Sequence, residues 1–188
     1  MPLLDAAAPL PHRPRRVLVA GTSGSGKTTL AARIGAALDL PFTEMDALFH
    51  GPDWTPRPEF LADVEAFVSE GRWATEWQYG AARPLLAARA DLLVWLDLPR
   101  ATVMRQVIGR TVRRRIRREV LWNRNVEPPL RTVFTERDHI VRWAWRTHAD
   151  GARRIAEVRE RFEDLVIVRL RSRAEVDDWT DRELPRHR

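Results

Sequence analysis

The chain has 188 residues, a formal net charge of +6 and no cysteine. This length suits one domain with a sizeable core, and the lack of cysteine excludes a disulfide framework and a thiolate metal site. No apolar run approaches the ~20 residues of a membrane span, so we expect a cytoplasmic protein with no membrane partner.

The positive charge is concentrated in one segment. Residues 100–124 contain nine arginines against a single acid, Glu119, and the rest of the chain carries a net charge of −2. A basic surface often binds nucleic acid, but this basicity belongs to one element. We therefore interpret the arginines by their place in the chain.

The two ends of the chain are predicted to be tails. Pro2, Pro9, Pro11 and Pro14 stand among alanines, a composition typical of a flexible segment over residues 1–14. We assign one domain to residues 15–181 and a C-terminal tail to residues 182–188.

A glycine-rich loop follows the first predicted strand. Residues 16–20 are a short apolar run, and Leu30, Ile34 and Leu38 recur at helical spacing after the loop. Between them, residues 21–28 match the phosphate-binding pattern G-x-x-x-x-G-K-[ST] at every fixed position. The alternative is a chance glycine-rich turn before a helix.

The loop predicts an ATP site, because its backbone N–H groups point at phosphate oxygens. Lys27 is the only lysine among 32 basic residues, and a compact ammonium fits this loop better than a planar guanidinium. We assign Lys27 to the β and γ phosphates as a catalytic residue and Thr28 to Mg²⁺. The predicted nucleotide-binding residues are Gly21, Thr22, Ser23, Gly24, Ser25, Gly26, Lys27, Thr28 and Thr29.

Strands and helices alternate along the chain. Predicted strands cover residues 16–20, 42–45, 72–76, 92–97 and 165–168, and predicted helices cover residues 60–68, 81–89 and 102–118. A long or broken helix starts at about Arg131, and Ser172 with Glu175 has the form of a capping box for a final helix. This alternation predicts a three-layer α/β fold with a five-stranded parallel sheet.

Three acids, Asp46, Glu76 and Asp97, each fall at the carboxyl end of a predicted strand, the edge where such sheets bind ligands. Asp97 is predicted to hold Mg²⁺ together with Thr28, or else to cap the next helix. Asp46 is predicted to take a proton from a phosphate acceptor, with a helix cap or an ion pair with an arginine as the alternatives. For Glu76, a site role with the acceptor or with magnesium-bound water and a structural role stay open.

The residues around these acids predict an acceptor pocket. Trp54 and Trp77 lie in predicted loops of the site, where either stacks on a ring of the acceptor or packs under a loop. His50 lies one turn beyond Asp46, and the histidines show no metal-ligand spacing. The predicted substrate-binding residues are Asp46, Trp54, Glu76, Trp77, Gln78 and Tyr79.

The arginine-rich segment has three interpretations: a lid over the nucleotide, a nucleic-acid surface, or a solvated helix face. Its position directly after the Asp97 strand favours an Arg-rich helical lid, at about residues 105–128, that brings guanidinium groups to the transferring phosphoryl. On a helix, Arg110, Arg114, Arg117 and Arg118 share a face, whereas Arg113 points elsewhere and is expected to face solvent or form an ion pair. We therefore assign Arg110 and Arg114 as catalytic phosphate contacts.

These segments together resemble a known group. The glycine loop, Asp46-Ala47-Leu48, the run from Trp73 to Tyr79 and Leu121-Trp122-Asn123-Arg124-Asn125 resemble the adenylate-kinase-like P-loop proteins often labelled DNA topology modulation proteins, over roughly residues 15–180. The resemblance implies the P-loop NTPase fold with strand order 2-3-1-4-5, an ATP site at the loop and an Arg-bearing lid.

The chain also departs from that group. It has Glu76-Trp77-Gln78-Tyr79 where many relatives carry Asp-Gly-Asn-Tyr, and the segment that binds the nucleoside monophosphate in adenylate kinases has no clear counterpart. The resemblance therefore does not imply AMP as the acceptor, and nothing in the residues supports a topoisomerase-like reaction.

We expect a phosphotransferase that uses ATP and Mg²⁺ and acts on a nucleoside, a nucleotide or another small-molecule acceptor, as a monomer or homodimer. The alternative is a regulatory NTPase or a nucleotide-dependent nucleic-acid-binding protein. The acceptor cannot be read from the sequence.

Overall fold

A computed structural model of the chain describes residues 3–126, 128–129, 131–135 and 139–187. Over these residues, six parallel strands form one sheet: β1 (Leu3–Leu4), β2 (Arg16–Gly21), β3 (Phe42–Thr43), β4 (Trp73–Glu76), β5 (Leu92–Leu96) and β6 (Val166–Leu170). Their order is β1-β6-β5-β2-β4-β3. Without the short β1, this is the predicted order 2-3-1-4-5, so the fold is confirmed with one strand more than expected.

Helices cover both faces of the sheet. They are α1 (Lys27–Leu38), α2 (Met45–Phe49), α3 (Phe60–Ser69), α4 (Arg83–Arg89), α5 (Arg100–Arg117), α6 (Thr132–Thr135), α7 (Ile140–Thr147), α8 (Asp150–Arg161) and α9 (Arg173–Arg186), with short 3₁₀ turns at Pro52–Trp54 and Trp122–Arg124. None of the helices described here is both long and apolar enough to cross a membrane.

The strand β2 lies between two apolar layers. Val17 and Val19 pack into a cluster with residues of α1 and α9, whereas Leu18 and Ala20 pack into a cluster with residues of α3 and α8. The two sets separate because successive side chains of a strand point to opposite faces. A strand buried on both faces reads as an unbroken apolar run, which is why β2 and β5 are visible in the sequence.

The register of the strands brings the predicted site segments to one edge. Gly21 pairs with Leu96, the residue before Asp97, and Val19 pairs with Glu76. The glycine loop, the end of β4 and the end of β5 therefore leave the sheet side by side.

The long or broken helix predicted from about Arg131 is a broken one. It consists of three helices, α6, α7 and α8, and α7 has its own start, where the His139 ring accepts a hydrogen bond from the Val141 N–H at 3.3 Å. Residues 136–138, where that helix was expected to continue, lie outside the described residues, as does residue 127 of the predicted lid.

The segments predicted as tails pack on the domain over much of their length. Leu3 pairs with Ile167 of β6, Leu10 is buried, and α9 continues to Arg186. The difference arises because short apolar segments gain stability from a distant sheet edge, which local composition does not show. Residues 1, 2 and 188 of the two predicted tails lie outside the described residues.

Candidate active site

The glycine loop joins β2 to α1 in the middle of the sheet. Gly24 and Gly26 have φ angles of +85° and +94°, in the region that glycine adopts without strain. A Cβ on Gly24 would lie 2.7 Å from the Cβ of Val107 in α5. Glycine is therefore required here by the close approach of the arginine-rich helix as well as by the backbone conformation.

Lys27, the first residue of α1, lies inside this loop. Its side chain is largely buried, and Nζ donates a hydrogen bond to the Thr22 carbonyl oxygen at 3.3 Å. Burial lowers the pKa of Lys27, the carboxylates of Asp46 and Glu76 oppose that shift, and the guanidinium of Arg110 adds to it. The cation is thus enclosed among groups of both signs at the place predicted for phosphate.

Asp46 lies in the first turn of α2, not directly after a strand as predicted, because β3 ends at Thr43. Its Oδ1 accepts hydrogen bonds from Gln78 Nε2 at 2.7 Å and from the Tyr79 hydroxyl at 2.6 Å. Within the described residues, Asp46 forms neither a helix-capping bond nor an ion pair with an arginine. Two neutral donors therefore orient a carboxylate that faces the cavity described below.

The neighbours of Asp46 are held in their neutral forms. Burial lowers the pKa of His50, although the charge of Asp46 opposes the shift. Burial is the main cause that raises the pKa of Tyr79, and the charge of Asp46 is the second cause. The Tyr79 hydroxyl therefore keeps the proton that it donates. The Tyr79 hydroxyl also lies 3.2 Å from His50 Nε2, which extends the network to the histidine that the sequence singled out.

Glu76 ends β4 and is fully buried. It was predicted among the substrate-binding residues, but it does not line the cavity. Its Oε2 accepts a hydrogen bond from the Met45 N–H at 3.0 Å, which anchors the start of α2, and its Oε1 is buried without a partner at hydrogen-bond geometry among the described residues. Burial raises the pKa of Glu76, while the nearby Met45 N–H, Thr28 hydroxyl and Lys27 ammonium lower it. An unpartnered buried carboxylate oxygen near Thr28 fits the oxygen chemistry of a Mg²⁺ site.

Asp97 has a side-chain partner that the sequence did not predict. Its Oδ2 accepts a hydrogen bond from Arg169 Nε at 2.8 Å and a second one from Arg169 Nη2. The residue that caps α5 is Pro99, so Asp97 is not the helix cap. Asp97 lines the cavity, but its charge is neutralised by an arginine of the neighbouring strand. Among the described residues, no group of three or more acidic, histidine or cysteine side chains is placed to hold a metal ion.

The helix α5 carries arginines to the site. Arg110, Arg113 and Arg114 line the cavity, and Arg105, Arg117 and Arg118 are exposed elsewhere on the helix. Arg113 was predicted to point away from Arg110 and Arg114, but it lines the same cavity, and its Nε lies 3.9 Å from a carboxylate oxygen of Glu119.

Aromatic side chains form one wall of the cavity. The Phe49 and Tyr79 rings stack with centroids 3.9 Å apart, and the His50 ring lies 5.0 Å from that of Trp54 and 6.0 Å from that of Trp122. Trp77 is buried instead and donates Nε1 to the Arg83 carbonyl at 3.1 Å. Of the two tryptophans predicted near the acceptor, Trp54 therefore belongs to the aromatic wall, whereas Trp77 is mostly buried and lines the cavity beside Arg83.

Two short loops close over this wall, and we call them the paired loops: residues 50–56 and residues 120–126. Asn125 joins them, since its Oδ1 accepts from the Trp54 N–H at 3.1 Å and its Nδ2 donates to the Gly51 carbonyl at 2.9 Å. Their backbones repeat one pattern, with Gly51 N–H to Thr55 O and Leu121 N–H to Asn125 O both at 2.7 Å, and with positive φ at Asp53, Trp54, Asn123 and Arg124. The loop after Asp46 and the end of the arginine segment thus form one unit.

All these groups surround one cavity of about 1370 Å³. Of the predicted site residues, Ser25 and Glu76 do not line it, and the others do. The sequence did not identify Phe49, Arg83, Trp122 and Arg154, which also line the cavity. Only Trp122 carried a local signal, the Leu-Trp-Asn segment of the resemblance, because the others come together through tertiary packing.

Comparisons with known proteins find distant structural neighbours only. No family model matches the chain, and no curated protein matches it. Solved structures similar to it include a sugar kinase from Janibacter sp. HTCC2649 (18% identity, 96% of this chain and 92% of that one, TM-score 0.46) and a gluconokinase from Sinorhizobium meliloti 1021 (16%, 89% and 90%, TM-score 0.47). A shikimate kinase from Acinetobacter baumannii in complex with shikimate has 16% identity over 89% of both chains and a TM-score of 0.47.

Because these TM-scores lie below 0.5, the class of the protein rests on its own geometry. A parallel sheet with a G-x-x-x-x-G-K-[ST] loop between β2 and α1 defines a P-loop fold.

Proposed function

We propose that this protein is an ATP-using, Mg²⁺-dependent phosphotransferase that acts on a small-molecule acceptor. The observation that carries the proposal is the placement of Asp46. Its carboxylate lines the same cavity as Lys27 and the glycine loop, and two neutral donors orient it. A carboxylate so placed beside a phosphate site suits proton removal from an acceptor hydroxyl.

In this proposal each group has one role. The loop N–H groups and Lys27 hold the β and γ phosphates of ATP. The acceptor oxygen attacks the γ phosphorus, the bond from that phosphorus to the β,γ-bridging oxygen breaks, ADP leaves, and Asp46 takes the hydroxyl proton. Arg110 and Arg114 neutralise charge on the transferring phosphoryl, where guanidinium groups act mainly in the transition state.

Mg²⁺ when bound neutralises phosphate charge and orients the oxygens. Thr28 would hold the ion, and Glu76 is the acid placed near it. Asp97 was predicted for this role, but its pairing with Arg169 favours Glu76. We further propose that the protein is cytoplasmic, that it belongs to the adenylate-kinase-like group and that it is a monomer or a homodimer.

The experiment is a screen of nucleosides, nucleotides and small alcohols for acceptor-stimulated ADP release. We expect the protein to consume ATP slowly without an acceptor and much faster with one class of acceptor. Lys27→Met should be inactive but folded. The control variant Arg33→Met, on the exposed side of α1, should be active. A rise with DNA or RNA and with no small acceptor would favour a nucleotide-dependent nucleic-acid binder instead.

A further inference from the structure

Arg83 and Arg154 lie on a part of the cavity wall that the proposed phosphotransfer does not use. Arg83 is the first residue of α4 and Arg154 belongs to α8, and both line the cavity. The Arg83 guanidinium carbon lies 5.5 Å from the centroid of the Trp77 ring, and Trp77 Nε1 bonds the Arg83 carbonyl at 3.1 Å. The tryptophan thus holds both the backbone and the side chain of Arg83.

Arg83 has no carboxylate partner within the described parts of the chain, and its Nε is buried without a hydrogen-bond partner there. Arg154 is paired with Asp150, whose Oδ2 lies 2.8 Å from Arg154 Nη2. The second oxygen of Asp150 lies 3.7 Å from Arg153. One carboxylate therefore pairs with both arginines of α8, and among the described residues the positive charge of Arg83 at the cavity wall has no carboxylate partner of its own.

The two cavity-lining arginines are close enough to interact. Burial lowers the pKa of Arg83, the charge of Arg154 adds to that shift, and Asp150 opposes it. Two half-buried guanidinium groups that repel each other are stabilised when an anion is placed between them. Guanidinium forks match the planar oxygens of a carboxylate and those of a phosphate.

We propose that Arg83 and Arg154 form an anion subsite that binds a carboxylate or phosphate group of the acceptor. The inference rests on the proposed function, because it treats this part of the cavity as acceptor space. It names the substrate class: a molecule that carries a hydroxyl for Asp46 and a separate anionic group for the arginines. A neutral nucleoside or sugar lacks the second group.

The test measures binding without turnover, with the glycine loop saturated by ADP and Mg²⁺ so that anions do not compete for it. Two pairs of probes differ in the anionic group alone: gluconate against glucitol for a carboxylate, and glycerol 3-phosphate against glycerol for a phosphate. We expect the anionic member of at least one pair to bind about ten- to hundredfold tighter, and the preferred pair identifies the group.

Arg83→Met and Arg154→Met should each remove at least about tenfold of that preference. Arg89→Met on α4 and Arg159→Met on α8 are matched controls, since neither residue lines the cavity, and both variants should bind the probes like the unmodified protein. Arg83→Lys keeps the charge without the fork and should retain part of the preference, which preserves the test if Arg83→Met does not fold.

Equal binding of both members of each pair would overturn the subsite. So would loss of preference in the controls alone, or weaker ADP binding by Arg83→Met with an unchanged anion preference. If the preference is present but no acceptor stimulates ADP release, the phosphotransfer proposal fails and the subsite stands. If acceptor-stimulated transfer occurs and is the same in Arg83→Met, the subsite fails and the phosphotransfer proposal stands.

Discussion

Asp46 shows how a single carboxylate can be oriented without a cationic partner. Gln78 and Tyr79 both donate to its Oδ1, and among the described residues no hydrogen bond is formed by Oδ2. Hydrogen bonds from neutral donors orient a base while leaving an oxygen able to accept a proton. The network thus separates orientation, on one oxygen, from the proposed proton transfer, on the other.

Asp46→Asn should therefore lower acceptor-dependent transfer by on the order of a hundredfold, since the amide keeps the shape but does not accept the proton. The affinity for ATP should change little. Steady-state transfer rates and an equilibrium titration with ATP check the two parts, and Asp53→Asn, an exposed acid in the paired loops, is the control. An equal loss of ATP binding would instead place Asp46 with the metal.

Glu76 is a single residue whose buried carboxylate lowers the stability of the folded protein. Its pKa is raised by burial, so the folded state binds its proton more tightly than the unfolded state does. Ionised Glu76 therefore costs stability above its unfolded pKa, and the cost reaches its full size above the raised folded pKa.

Glu76→Gln should raise the free energy of unfolding at pH 7, because the amide oxygen still accepts from the Met45 N–H and no charge is buried. The gain should disappear below about pH 4, where the carboxyl is protonated in both states. Urea unfolding across this pH range measures it, with Glu65→Gln on the exposed face of α3 as the control. The phosphotransfer activity of Glu76→Gln should fall. A lower free energy of unfolding at pH 7 would contradict the inference that ionised Glu76 destabilises the folded protein.

At the scale of elements, α5 brings Arg110, Arg113 and Arg114 to the cavity. We expect Arg110→Ala and Arg114→Ala to lower turnover by on the order of a hundredfold with a smaller effect on ATP affinity, because they act on transition-state charge. Arg117→Ala, exposed on the same helix, should have little effect. Similar, graded losses of polynucleotide binding in all three variants, with turnover unchanged, would favour the nucleic-acid interpretation.

The paired loops link the acceptor side of the cavity to the end of this helix. Asn125 is buried and satisfies the Trp54 N–H and the Gly51 carbonyl at once. A motion of either loop therefore has to break bonds to the other, which predicts that they open together.

Asn125→Ala should leave both backbone groups unsatisfied and lower the free energy of unfolding by about 1–3 kcal/mol. Amide hydrogen exchange should rise in both loops to a similar degree. Asn125→Asp keeps the acceptor for Trp54 and should give a smaller effect. Faster exchange confined to residues 120–126 would show that the loops open independently.

At the scale of the whole molecule, the sequence predicted the structural features that depend on residues close to each other in the chain. The apolar runs of β2 and β5, the glycine loop and the Ser172 cap, whose Oγ accepts from the Glu175 N–H at 3.1 Å, are all set by neighbours in the chain. The pairing of Asp97 with Arg169 depends instead on the register of β5 and β6, and the approach of Arg83 to Arg154 depends on how α4 and α8 pack. Periodicity carries no information on such long-range contacts.

The contact between the two ends of the chain is another long-range contact that local sequence pattern does not predict. The Leu10 N–H donates to Glu183 Oε2 at 3.1 Å, and Arg182 and Arg186 lie 2.9 and 3.0 Å from Glu183 Oε1. Burial alone would raise the pKa of Glu183, but these hydrogen bonds and charges outweigh it and lower the pKa below its ordinary value.

Since the folded pKa is the lower one, the Glu183 carboxylate contributes stability above its unfolded pKa of about 4.3, and that contribution is lost as the pH falls through the folded value. Glu183→Gln should therefore lower the free energy of unfolding by about 1–3 kcal/mol at pH 7. The difference from the unmodified protein should narrow below about pH 4, where its own carboxyl becomes protonated. Urea unfolding at several pH values measures this, with Glu65→Gln again as the control. A difference that stays constant down to low pH would mean that the two chain ends are held by apolar packing alone, with no contribution from the charge.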